Sequence, residues 1–96
     1  MTYIQSVKLK EIGFPREIGE WFYDSEGEFL PNPTAEEALE WVNKKLISRV
    51  VLIVNDSVNI IYYQANFEFN KCFDTLSDAV YALIVWAWEN KLLGGK

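Results

Sequence analysis

The sequence predicts an α+β fold in two layers, an antiparallel sheet of three to five strands with two helices packed on one face. Three observations lead there. Two segments open with helix-capping chemistry and continue with apolar residues at helical spacing. Two β-branched runs separated by turn residues read as a hairpin. The 96 residues, half of them hydrophobic, suffice for one small core and leave little room for another, so 1–96 is read as a single domain.

Residues 1–20 are weakly patterned. Tyr3, Ile4, Val7, Leu9 and Ile12 suit a short strand or a helical turn, and Gly13, Phe14, Pro15 and Gly19 punctuate the chain. Residues 20–24 form an aromatic strand candidate, Ser25, Glu26 and Gly27 a turn, and residues 28–30 its antiparallel return. Pro31 and Pro33 then argue against regular structure, because each fixes φ and removes a donor. A helix is predicted over 34–46. Thr34 caps it with Glu37 at the capping-box position, Ala38, Leu39, Val42 and Leu46 make one stripe, and acids early and lysines late suit the helix dipole.

A hairpin follows over 49–63, turning at Asn55, Asp56 and Ser57. Residues 67–73 nearly alternate, with Phe67, Phe69 and Phe73 on one side. This segment is a third strand or a bent continuation of the second. The series Ile61, Tyr63, Ala65, Phe67, Phe69 keeps one apolar face through the bend and fits both readings. A second helix is predicted over 75–92, capped by Thr75 with Asp78 at the box position and ended by Gly94 and Gly95. The expected core is Leu39, Val42, Leu52, Ile61, Phe67, Phe69, Leu83 and Trp86.

Both predicted helices begin Thr-x-x-acid-Ala, either because good helix starts converge or because a strand-helix unit repeats. Residues 12–15 (Ile-Gly-Phe-Pro), the aromatics at 21–23, residues 33–41 and residues 73–79 together resemble small uncharacterised phage and prophage proteins of bacteria. The resemblance is spread loosely over most of the chain and brings no assigned activity or functional residues. The closing strands and the Asp-Thr-x-x-Asp-Ala helix start are also similar to HicB-like antitoxin domains over about the last half. The acidic-Leu-Pro-Gly-Cys turn of that family is missing, which implies a shared supersecondary unit and not kinship.

Composition excludes several kinds of chemistry. There is no His and one Cys, Cys72, so a disulfide framework, a His-ligated metal site and an imidazole triad are out. A net charge of −5 argues against nucleic-acid binding by bulk charge. Tyr62, Tyr63, Phe67 and Phe69 resemble a base-stacking set, but Lys71 is the single base between Val50 and Phe73, so core packing is their expected use. The longest apolar run, 79–88, has ten residues against the roughly 20 that a membrane span needs. No apolar stretch after Met1 matches a signal-peptide core, and the cytoplasm is the expected compartment. No glycine-rich loop opens a helix, and no cofactor or metal is expected.

Two features carry the functional expectations. Residues 79–88 are apolar on every side of a helix, with Tyr81 and Trp88 on the flank opposite Leu83. Such a helix is covered either by the first helix, through Ala38, Trp41, Val42 and Leu46, or by a second copy in a homodimer. The other feature is charge. Glu17, Glu20, Asp24, Glu26, Glu28, Glu36, Glu37 and Glu40 fall in a stretch without Lys or Arg. They make either a solubilising face or a recognition surface for a basic protein. The expected function is therefore a non-catalytic interaction module of phage type, acting through its acids or its exposed aromatics. The alternative is an antitoxin-like or regulatory homodimer. A weaker alternative is a hydrolase using paired carboxylates, although these acids already occupy helix-dipole positions.

Overall fold

The computed structural model describes residues 1–46, 50–64 and 66–93. Its elements are α1 (Tyr3–Ile12), β1 (Glu20–Tyr23), β2 (Phe29–Asn32), α2 (Ala35–Lys45), β3 (Val51–Val54), β4 (Val58–Gln64), β5 (Phe67–Phe73) and α3 (Leu76–Glu89). The class is α+β, as expected. The strands form two antiparallel sheets, β1-β2 and β3-β4-β5, where one was predicted, and there are three helices in place of two.

The extra helix is α1. The Thr2 hydroxyl accepts from the Gln5 N–H at 3.2 Å, and Gln5 Oε1 accepts from the Thr2 N–H at 3.0 Å, a complete capping box. Gly13, at φ 100, ends the helix with the Phe14 N–H donating to the Leu9 carbonyl at 3.0 Å. The apolar stripe is what the sequence hides. Leu9 and Ile12 are buried together with Ser6, while Tyr3, Ile4 and Val7 face water.

Pro31 lies inside β2, opposite Trp21, where a sequence break was expected. In a two-stranded sheet both strands are edges, the position that tolerates a residue without an N–H. Residues 58–73 are two strands. Gln64 faces Phe67 across the register, so even positions of β4 face odd positions of β5: Tyr62 opposite Phe69, Val58 opposite Phe73. This reversal moves Val58, Ile60 and Tyr62 of β4 into the core in place of the expected Ile61 and Tyr63, while Phe69 of β5 keeps the expected side. Ile61 is half-buried and Tyr63 exposed on the outer face, and Leu52 is also exposed. Arg49, the start of the predicted hairpin, and Ala65, a member of the predicted apolar series, lie outside the described residues. Of the remaining expected core, Val42, Phe69 and Leu83 are buried, while Leu39, Phe67 and Trp86 are half-buried.

α2 has the predicted capping box, and its Trp41 stacks on Phe14 at 4.8 Å between ring centroids. α3 runs through the middle of the molecule, in contact with α2, β4, β5 and α1. Ala79, Val80, Leu83, Ile84 and Ala87 are buried, and Trp86 meets the rings of Phe69 at 5.3 Å and Tyr62 at 6.0 Å. Cover for its apolar sides comes from within the chain chiefly through α2, β4 and β5, with a smaller share from the unforeseen α1, and Tyr81, Val85, Trp86 and Trp88 stay half-buried. The Gln5 amide donates to Asp78 Oδ1 at 3.1 Å, and Lys8 Nζ lies 4.5 Å from the Trp88 ring centroid. α3 ends at Glu89, three residues before the predicted end. Lys91 adopts φ 60, and the Leu92 N–H donates to the Ala87 carbonyl at 2.8 Å. Gly94 and Gly95 lie outside the described residues. Among the described residues no helix is long and apolar enough to cross a membrane.

Candidate functional site

The hairpin β1-β2 gathers the most distinctive exposed chemistry. Its turn is built by Asp24. One carboxylate oxygen accepts the N–H groups of Glu26 at 2.9 Å and Glu28 at 2.8 Å, while the Gly27 N–H donates to the Asp24 carbonyl at 3.1 Å. Gly27 supplies the positive φ of 79 that this turn requires. Asp24 is therefore a structural acid, half-buried and engaged with the backbone.

Trp21 and Tyr23, two residues apart on a strand, share one face, and Phe29 stands opposite Tyr23. The Trp21 ring meets Tyr23 edge-on at 5.0 Å and Phe29 at 6.2 Å. The Arg16 guanidinium carbon lies 4.5 Å from the Trp21 ring centroid and 5.4 Å from that of Phe29. Trp21 remains 39% exposed and Tyr23 56%. The result is an open patch of Trp, Tyr and Arg, the residue types that supply most binding energy at protein interfaces. An aromatic strand was expected here. That its rings stay in water, and that Arg16 folds back onto them, follows from contacts made outside the strand.

The acids flank this patch in two groups. Glu26 and Glu28 are exposed at the turn, where Lys10 Nζ pairs with Glu28 Oε1 at 2.9 Å. With more than half the Glu28 side chain exposed, that pair contributes at most about 1 kcal/mol. The second group surrounds the start of α2. Glu37 Oε1 accepts the Thr34 N–H at 2.8 Å, Glu36 is exposed, and Glu40 lies 3.9 Å from Lys44. Glu20 joins this end. It sits opposite Asn32 in the register, and its neighbour Gly19 packs against Pro33 and Glu37. A Cβ on Gly19 would lie 2.5 Å from Glu37 Oε1 and 2.9 Å from the Pro33 Cα, and φ there is +73. A residue without a side chain is thus what lets the Glu20 end of the hairpin approach the mouth of α2. Glu17 is exposed in the preceding segment. Two bases from just before the acidic stretch, Lys10 and Arg16, enter a region that reads as purely acidic along the chain.

The other predicted contributors lie elsewhere. Tyr81 and Trp88 are half-buried against the core. Of the base-stacking set, Tyr62 and Phe69 are buried, Phe67 is half-buried, and Tyr63 is exposed on the outer sheet face. Cys72 is exposed opposite Asn59. Among the described residues no pocket opens, and no group of three His, Cys, Asp or Glu is placed to hold a metal. Neither a protein-family model, a curated protein nor a solved structure matches the chain.

Proposed function

We propose that this protein is a non-catalytic interaction module, of the kind its phage-like sequence features suggest, which binds a basic protein through the hairpin β1-β2. One observation carries the reading: Trp21, Tyr23 and Arg16 form an exposed, mutually packed cluster with Glu26 and Glu28 at one end and Glu20, Glu36 and Glu37 at the other. The aromatic centre supplies apolar area at low entropic cost, since each ring has few rotatable bonds and is already held by its neighbours. The acidic ends attract and orient a positively charged partner and speed its arrival.

The test compares three baits in affinity capture from cell lysate: the native chain, Trp21→Ala/Tyr23→Ala, and Glu26→Gln/Glu28→Gln. A basic protein held by the native chain is expected to be lost on the aromatic variant. On the acidic variant it binds more slowly, with a weaker response to salt. Circular dichroism on each bait checks that the fold persists. Captured proteins that do not distinguish the three baits would remove this reading.

A further inference from the structure

The hairpin β1-β2 has two outer edges, and its hydrogen-bond register makes them unequal. The Asp24 N–H donates to the Glu28 carbonyl at 2.9 Å, in register with the strands. Bonded and non-bonded pairs alternate along an antiparallel ladder, so Phe22 with Leu30 and Glu20 with Asn32 are the bonded pairs. Trp21 with Pro31 and Tyr23 with Phe29 are the others. The missing N–H of Pro31 therefore falls on the outer edge of β2, and α1 packs on that strand. The outer edge of β1 receives the N–H and C=O groups of Trp21 and Tyr23. β1 pairs with β2 alone and contacts no other described element. Pro31 thus blocks one edge against further pairing, and nothing of the kind blocks the other.

We propose that β1 is an edge for β-augmentation, to which an extended, basic segment of the partner protein adds as a third strand. This rests on the hairpin being the binding surface, and it names how the partner is held. Charge decides the occupant. Glu20 and Asp24 bracket the three aromatics of β1, Glu17 is exposed before them, and Glu26 and Glu28 are exposed after them. Only a two-fold axis about Phe22 pairs the whole strand with a second copy of itself, and it sets Glu20 against Asp24 at both ends, acid opposite acid. A basic strand turns those like-charge pairs into opposite-charge pairs. The pleat then fixes the side chains. Residues of the added strand that exchange hydrogen bonds with Trp21 and Tyr23 lie on the face of those rings, and the residues between them lie on the face of Glu20. The recognised segment therefore alternates, apolar over the rings and basic beside Glu20. A four-residue edge makes few bonds, so the complex is of the weak, transient kind.

The probe is the peptide acetyl-Lys-Val-Lys-Val-Lys-Val-Lys-amide, titrated into the isotope-labelled protein and followed by NMR. In the free protein the Phe22 amide is expected to exchange slowly with solvent, and those of Trp21 and Tyr23 fast. At saturation the latter two are expected to slow about tenfold or more. Methylating the valine amides of the peptide removes the N–H groups that face β1 and is expected to weaken binding about tenfold or more. Methylating its lysine amides, which face solvent, is expected to change binding less than about twofold. Glu20→Lys, at an exposed position, is expected to weaken the parent peptide several-fold, with circular dichroism verifying the fold. No binding at millimolar peptide overturns the inference. So does equal affinity for the two methylated peptides, or a bound state in which the Trp21 and Tyr23 amides stay fast. Protection of those amides that rises with protein concentration in the absence of peptide overturns it in favour of a second copy. The hairpin's role as a binding surface is judged separately by the lysate capture: a protein lost on Trp21→Ala/Tyr23→Ala keeps that role even where strand addition fails.

Discussion

The two sheets of this protein use aromatic residues in opposite ways. In β4-β5, Tyr62 and Phe69 face each other across the register and are sealed by Trp86 of α3. In β1-β2, Trp21 meets Tyr23 and Phe29 edge-on and Arg16 lies over its ring, yet Trp21 and Tyr23 remain exposed. Strand propensity is the same in both places. The difference is whether a helix crosses the face. Where α3 does, the rings are buried in the core, and on the hairpin Trp21 and Tyr23 stay partly in water.

Substitutions can break or sharpen that contrast. Phe69→Ala should cost about 3–5 kcal/mol in a urea titration, since its ring is 2% exposed and empties a cavity beside Trp86. A loss below about 1 kcal/mol would show that the β4-β5 aromatics are not the core. Gly19→Ala should cost about 2 kcal/mol, because φ +73 and the close Glu37 and Pro33 atoms both oppose a Cβ. It should also disturb the hairpin and leave β3-β5 intact, which hydrogen exchange can resolve. Trp21→Ala should cost only about 1 kcal/mol, the worth of its ring contacts, while removing partner capture. Thr34→Ala should also cost about 1 kcal/mol, by removing the cap of α2. Lys91→Gly should raise stability by about 0.5–1 kcal/mol, measured by thermal melting. Lys91 occupies the left-handed helix-ending position that Gly13 fills at the end of α1.

Much of this architecture is legible along the chain. Thr34 with Glu37, Thr75 with Asp78, the turn at residues 24–27 and the pairing of β1 with β2 all follow from residues a few positions apart. The capping pair of Thr2 and Gln5 was equally local, but with Tyr3, Ile4 and Val7 exposed and Ser6 buried α1 has no clean apolar side, and its pattern fits a short strand and a helical turn alike. The parity of β4 and β5 was hidden for a related reason. Alternation looks alike along one bent strand and across a two-residue connection, and only the hydrogen-bonded register separates them.

The hairpin site divides the same way. Its residue types were visible from the start: aromatics at 21–23 and a run of acids. Which acids are occupied was not, because Asp24 serves its turn, Glu37 its cap and Glu28 a lysine from α1. Local chemistry, where a side chain meets backbone within a turn, is written in order along the chain. Cover is nonlocal: whether Trp21 is wet or Phe69 dry depends on where α1 and α3 come to lie. Those placements minimise the exposed apolar area of the whole molecule at once, a quantity that no short window of residues contains.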